Sequence, residues 1–235
     1  MGAFEELVDE AVAAPINGWD FSWLDGRATE ARPSWRFRAR VATRAAHADA
    51  LLDIECGDGR LLGSLPHRPA LTVGVEDYQP GPGMVRATGA AVPFRDSSFD
   101  LVISRHPVVA RWDEIARVLA PGGGYLAQHV GPRSAAEVGE WFVGPWPPSD
   151  ARTPERAQRE AERVGLEVVD LRYEELPMVF SDVGAVVYFL RLVVWIVPDF
   201  SVERYRDRLR ALHEQMPFTA TSTRFLIEAV KPTQH

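Results

Sequence analysis

The chain has almost no cysteine and almost no lysine. Cys56 is the only cysteine among 235 residues, which excludes an intramolecular disulfide and any Cys-rich zinc site. Lys231 is the only lysine, so nearly all cationic side chains are arginine. Cations are also outnumbered: 26 Lys and Arg against 33 Asp and Glu leave a formal charge of −7. A phosphate backbone demands clustered positive charge, and no basic run exceeds a few residues, so nucleic acid is a disfavoured substrate. Long apolar runs are missing too. The most apolar stretch, Val183 to Val197, carries Arg191 near its middle and ends at Pro198. A membrane span needs about 20 apolar residues, so this stretch reads as a buried segment and no membrane association is expected. The first ten residues contain Glu5, Glu6, Asp9 and Glu10, the opposite of a basic signal-peptide start, and a cytoplasmic location is the expectation. His47, His67, His213 and His235 show no metal-ligand spacing, and no metal site is expected.

What is present is an ordinary globular composition, 46% hydrophobic and 25% charged, suited to one larger domain with an appendage. From about residue 49, short apolar runs alternate with helical patterns, the mark of an α/β fold with a mostly parallel sheet. Ala50–Ile54, Leu71–Val75, Met84–Ala87, Phe99–Ser104 and Tyr125–His129 read as strands. Ile115, Val118 and Leu119 mark a helix that stops at Pro121-Gly-Gly-Gly124. A Pro-rich connection, Pro145 to Pro148, precedes a charged helix over 153–164, capped by Gly165. Residues 166–171 are strand-like, 182–197 form an insert of apolar helix, 202–215 an amphipathic helix, and 219–230 a closing strand. The expected division is an N-terminal helical cap, 1–48, and a domain, 49–235, carrying the apolar insert near 181–200.

Chemistry concentrates after the first of these strands. Leu51-Leu-Asp-Ile-Glu-Cys-Gly-Asp-Gly-Arg60 places a tight glycine turn between a strand and a helix. Gly57 and Gly59 lack Cβ atoms and let a ligand lie against the backbone, beside the N–H groups of the helix start. Glu76 ends the next strand, where a carboxylate can accept two hydrogen bonds from a ribose diol. Together these describe a site for a nucleoside-containing cofactor at the carboxyl edge of a parallel sheet. The dinucleotide fingerprint is incomplete: its third glycine falls on Leu62.

Several segments, in order, resemble the class I S-adenosylmethionine-dependent methyltransferases. Leu52-Asp-Ile-Glu-Cys-Gly-Asp-Gly59 is similar to that family's cofactor loop, and Val73-Gly-Val-Glu76 to its ribose-binding acid. Ala91-Val-Pro-Phe-Arg-Asp-Ser-Ser-Phe-Asp100 resembles the segment before its fourth strand. Arg117-Val-Leu-Ala-Pro-Gly-Gly-Gly124 resembles the turn before its fifth. The likeness covers about residues 49–130. The flanks, 19–35 and 181–200, look like bacterial methyltransferase-domain proteins from which no substrate can be read. The resemblance implies a Rossmann-like class I methyltransferase fold, a seven-stranded mostly parallel sheet flanked by helices, with an N-terminal helical extension. It implies S-adenosyl-L-methionine as cofactor, with Asp53, Glu55, Gly57 and Gly59 lining the methionine and sulfonium end. Glu76 would hold the ribose, Asp77 and Tyr78 would flank the adenine, and Gly89 would supply a backbone N–H. Ser104 and Arg105 would lie under the methionine moiety. Two positions depart from the pattern. Glu55 stands where glycine is usual, and Thr88 where many members carry an Asp for the adenine amino group.

The expected function is methyl transfer to an oxygen or nitrogen of a small-molecule acceptor. His106, just past the fourth strand, is the candidate catalytic base. Trp19 and Trp23, in the aromatic turn Trp19-Asp-Phe-Ser-Trp23, and His129, at the end of the fifth strand, are candidate substrate contacts. Cys56 reads as a small, partly buried side chain. Three alternatives stay open: an RNA methyltransferase of the same fold, a nucleotide-dependent oxidoreductase, and a cofactor-binding protein without catalysis. No oligomeric state is read.

Overall fold

The computed structural model describes residues 2–78 and 80–233; His235 lies outside them. Helix α1 (Ala3–Ala13), strand β1 (Ala28–Glu30) and helix α2 (Phe37–Ala45) come first. An alternating run follows: β2 (Ala50–Ile54), α3 (Arg60–Gly63), β3 (Leu71–Glu76), β4 (Val85–Arg86), β5 (Phe99–Arg105), α4 (Trp112–Val118) and β6 (Leu119–Val130). The chain continues through α5 (Ala136–Val143), α6 (Pro154–Arg163), β7 (Glu167–Phe180), α7 (Val183–Leu192), α8 (Val202–His213) and β8 (Phe218–Val230). Strands are hydrogen-bonded in the order β1-β7-β8-β6-β5-β2-β3-β4. The ladders from β6 through β5, β2 and β3 to β4 are parallel, and β8 runs antiparallel to β6. The α/β fold with a mostly parallel sheet is as expected, but the strand count is eight rather than seven. The extra strand is β1, paired antiparallel with Met178–Phe180 at the end of β7. Three residues are too few to show a period-two pattern.

Two compact units divide the chain, one of residues 1–32, 133–149 and 175–223, the other of 33–132, 150–174 and 224–235. The first segment of one unit ends at Arg32, and residues 33–48, expected in the N-terminal cap, belong to the other. Residues 33–48 go with the parallel strands because α2 is amphipathic at four-residue spacing. Phe37, Val41 and Ala45 are buried in one cluster with Leu51, Leu101, Ile103, Leu126 and Leu226. A second cluster, including Leu52, Val102, Trp112, Ile115, Tyr125, Ala161 and Phe225, belongs to the same unit.

The other unit is built around α7. The apolar stretch expected as an insert packs with α1 in a single core that includes Phe4, Val8, Ala11, Val183, Val186, Val187 and Leu190. Approach is close: a Cβ at Gly184 would stand 2.6 Å from the carbonyl oxygen of Leu7. Arg191, the charge inside the apolar run, donates to the carbonyl oxygens of Ala11 and, at 2.9 Å, Ala14. These are carbonyls that the end of α1 leaves unpaired, so a half-buried guanidinium is satisfied by capping a helix. Among the described residues, no helix is long and apolar enough to cross a membrane.

The two segments that flank β5 in the sequence are stitched together by one side chain. The Arg117 guanidinium donates to the carbonyl oxygens of Phe94 (2.7 Å) and Val92 (3.1 Å) and to the carboxylates of Asp96 (2.8 Å) and Glu114 (2.7 Å). Backbone N–H groups of Ser97 and Ser98 donate in turn to the carbonyls of Arg117 and Val118. At the other end of the loop, Asp100 accepts from the N–H groups of Asp49 and Ala50, both at 2.8 Å, and so ties β5 to the start of β2. Charge-assisted hydrogen bonds contribute about 1.5–3 kcal/mol each when partly buried. Replacing Arg117 by Met is expected to lower stability by about 2–3 kcal/mol in denaturant melts. Arg117→Lys should recover less than half of that, because one ammonium cannot meet so many separated acceptors.

Candidate functional site

The loop after β2 is shaped by three left-handed residues, Glu55 (φ 58°), Gly57 (φ 58°) and Gly59 (φ 73°). The two glycines are used differently. A Cβ on Gly59 would overlap the terminal methyl of Met84, whose sulfur also accepts from Gly81 N–H at 3.2 Å. Gly59 therefore makes room for a side chain of the protein itself. A Cβ on Gly57 would meet nothing within 4 Å, so Gly57 is where a ligand can approach the backbone. Met84 escaped the sequence reading, since a lone methionine in a Pro-Gly loop carries no signal. Cys56 lies 3.5 Å from the Met84 sulfur. Burial, with Asp53 and Glu76 nearby, pushes its thiol up to about 12, so it stays protonated and unreactive.

Four carboxyl groups gather around this loop. Glu76 ends β3 and accepts from Gly57 N–H at 2.9 Å and from Tyr78 N–H at 3.1 Å, which leaves each oxygen with lone-pair capacity to spare. Asp53, one strand over, is 1% exposed, and neither of its oxygens has a hydrogen-bond partner. Burial pushes its carboxyl up to about 8, with Arg105 pulling the other way and Glu76 adding to the rise. Glu55 turns its Oε2 to accept from Val108 N–H at 2.6 Å, bridging the loop after β2 to the loop after β5. Burial raises its pKa as well; Glu76 and Asp77 push the same way. Asp77 is exposed on the far side of Glu76. Carboxyls that raise one another across a partly buried pocket favour a cationic occupant and oppose a pyrophosphate.

The remaining expected contacts fall on the same edge. Gly89 is buried, and a Cβ there would stand 3.2 Å from Glu55 Oε1. Thr88, beside it, is exposed. Ser104 is buried in β5 and Arg105 closes that strand exposed. His106 follows with a left-handed backbone (φ 59°), its N–H donating to the carbonyl of Gln128 at 2.7 Å. Its Nε2 lies 2.9 Å from the side-chain amide nitrogen of Gln128, whose oxygen accepts from Trp35 Nε1 at 2.8 Å. The Nε2 lone pair is thus already engaged, so the proton-accepting role expected of His106 lacks a free site.

His129 departs from expectation. Successive strand residues face opposite sides, so Gln128 turns toward His106 while His129 turns into the core. There its ring stacks on Phe225 (4.5 Å) and faces Trp112 (6.4 Å). Only 8% exposed, it is pushed down to about 3 by burial, with Arg152 adding to the effect. This neutral core ring is shut off from a substrate by its two aromatic neighbours. Trp19 and Trp23 lie in the unit built on α7. Trp19 packs on Trp195 at 5.5 Å, and Trp23 stacks on Tyr188 at 4.7 Å with the Arg27 guanidinium above it.

Residues 52–127 match the family described as methyltransferase domain. Over those residues the chain is similar to methyltransferase domains, and the resemblance read from the sequence is borne out over that segment. The YcgJ protein of Bacillus subtilis is similar in structure, with a TM-score of 0.59 at 16% identity over 85% of this chain and 100% of that one. A candidate methyltransferase of Bacillus halodurans gives 0.57 at 17% identity, covering 83% and 99%. The [4+2]-cyclase SpnF gives 0.52 at 18%, covering 98% and 93%. At such identities these likenesses establish the fold alone. No curated protein matches the chain.

Asp53 generates a stability prediction. Folding lifts its pKa above the ordinary carboxylate range, so the folded state keeps a proton that the unfolded state releases. The pH-linked part of its cost is absent in acid and grows as pH rises from the ordinary carboxylate range to about 8. Asp53→Asn should therefore raise Tm at pH 8 by at least about 2–4 °C, the shift that 1 kcal/mol makes in a chain of this size. Calorimetric melts should show that gain shrinking as the pH is lowered toward about 4.

Proposed function

We propose that this protein transfers the methyl group of S-adenosylmethionine to a small-molecule acceptor at the carboxyl edge of β2, β3 and β5. The observation that carries the reading is the acid-lined glycine loop, with the buried, unpartnered carboxyl of Asp53 at its base. A group held in that state is suited to a ligand cation, and a sulfonium bearing an ammonium supplies one. The residues fit the cofactor in three ways: an orphaned carboxyl for positive charge, a glycine at 57 open to close approach, and spare acceptor capacity on Glu76 for a ribose diol. The acid cluster speaks against the anionic pyrophosphate of a dinucleotide, which makes the oxidoreductase alternative the weaker one.

When bound, S-adenosylmethionine supplies a methyl group already activated by its positive sulfur. The protein's work is to hold and orient. Asp53 and Glu55 would balance the cationic end, Glu76 would fix the ribose, and Gly89 N–H with Asp77 and Tyr78 would frame the base. Ser104 and Arg105 would border the reacting end. Orienting two reactants in this way can remove about 7–11 kcal/mol from a bimolecular barrier. A small acceptor is favoured over RNA by the net charge of −7. Two of the α2 arginines are engaged within the protein, Arg40 with Asp170 at 2.8 Å and Glu228 at 3.5 Å, and Arg44 with Glu228.

Calorimetry with S-adenosylhomocysteine tests the cofactor assignment. The wild type should bind it, whereas NAD should give no heat. Gly57→Ala and Glu76→Gln should each weaken binding about tenfold or more while keeping the fold, since neither fills a packed space. Tight NAD binding, or affinity untouched by both substitutions, overturns the reading. Labelled methyl offered with S-adenosylmethionine should reach small organic acceptors and not bulk transfer RNA.

A further inference from the structure

Trp35, Gln128 and His106 form a chain whose proton positions are dictated by the chemistry of its first member. An indole nitrogen can only donate. Trp35 Nε1 lies 2.8 Å from the Gln128 oxygen, so the amide is fixed with its oxygen toward Trp35 and its NH2 toward His106. That NH2 can also only donate, and it stands 2.9 Å from Nε2 of His106. Nε2 must present a lone pair, and the neutral ring must carry its proton on Nδ1. Trp35 and Gln128 are 4% and 5% exposed, so neither bond is traded readily for water. The backbone holds the ring from a second side through the His106 N–H bond to the Gln128 carbonyl, in a left-handed conformation that a non-glycine residue adopts only when its surroundings hold it there.

Protonation of the ring is opposed by its surroundings. Burial foremost, then Arg224 on β8 and Arg105 at the end of β5, hold the His106 pKa well below the ordinary histidine value, while His129 on β6 is itself neutral. Nδ1 has no hydrogen-bond partner among the described residues and is not sealed from solvent. A fixed N–H donor therefore stands two residues past Ser104, at the edge assigned to the reacting end.

We infer that His106 is a hydrogen-bond donor to the methyl acceptor, with Gln128 and Trp35 as positioning residues, and that the acceptor is an oxygen anion, a carboxylate or phenolate. The inference rests on the methyl-transfer reading above. With no lone pair free on the ring, His106 cannot take a proton from the nucleophile, and an acceptor that arrives ionised needs no such transfer. The N–H of His106 and the charge of Arg105 both favour the anionic form. One oxygen lone pair accepts from Nδ1–H, and another forms the C–O bond as the C–S bond breaks and its electron pair stays on sulfur. The oxyanion becomes a neutral ester or ether oxygen, the sulfonium becomes a thioether, and no proton is gained or lost.

Nitrogen NMR of histidine-labelled protein with S-adenosylhomocysteine, from about pH 5.5 to about 8.5, reads the tautomer directly. His106 should show a protonated Nδ1 and a bare Nε2 throughout, without titrating. Gln128→Glu supplies an acceptor at Nε2, which should move the proton there and bring the ring into titration. Trp35→Phe frees the amide to turn and should give a mixture of tautomers; it serves should the glutamate variant not fold. A wild-type ring that titrates near the ordinary value, or that carries its proton on Nε2, overturns the assignment. With labelled S-adenosylmethionine, benzoate or 4-nitrophenolate should be methylated and benzylamine should not. Gln128→Glu should raise KM for the anion about tenfold. Methylation of the amine, or of none of the three, counts against the acceptor class. Failure of the wild type to bind S-adenosylhomocysteine sinks the methyl-transfer reading instead, and leaves the tautomer result standing.

Discussion

Asp53 sits near the end of β2 with both carboxyl oxygens buried and neither accepting a hydrogen bond. Such a group lowers stability whichever state it adopts: ionised, it lacks solvation; protonated, it lacks an acceptor for its proton and donors for its lone pairs. Nothing in the packing of β2 requires a carboxyl there, since its neighbours Leu51, Leu52 and Ile54 are aliphatic and buried. A stability cost carried at the mouth of a glycine loop is the mark of a group waiting for a ligand. Around it, Glu76 accepts from the Gly57 N–H, Cys56 is held as a neutral thiol chiefly by burial, and Glu55 accepts from the Val108 N–H.

Much of this was legible in the sequence. The strand order rests on short aliphatic runs separated by glycine turns, and each expected run between residues 50 and 130 became a strand. The two motif segments around β5 were readable as family features. Their physical reason, the Arg117 guanidinium gathering carbonyls and carboxylates from both, appears only in three dimensions. β1 was missed because three residues carry no periodicity. In the sequence α2 looks like a continuation of the helical N-terminus; its packing is not legible there, because the Phe37, Val41 and Ala45 stripe is completed by side chains from four different strands.

The site was legible in residue type more than in orientation. Glu55 and Gly59 were both read as ligand contacts; in the fold one oxygen of Glu55 accepts from Val108 N–H, and the space beside Gly59 is filled by Met84. His106 was read as the candidate base and His129 as a candidate substrate contact, both from their places at strand ends. Alternation along β6 separates them: its Gln128 side reaches His106, and its His129 side enters the aromatic core. Gln128 and Trp35 drew no attention because an amide and an indole carry no titratable chemistry. Their value lies in having no choice about which proton goes where, which lets two neutral side chains set the protonation of a third.

The central claim is that Asp53 waits for a cation. Calorimetric titration of S-adenosylmethionine at about pH 6.5, in two buffers of different ionisation enthalpy, tests it directly. The wild type should release about one proton on binding, as the carboxyl pushed up to about 8 ionises beside the ligand's positive charge, and Asp53→Asn should release none. Binding with identical heats in both buffers, or no binding at all, contradicts the account.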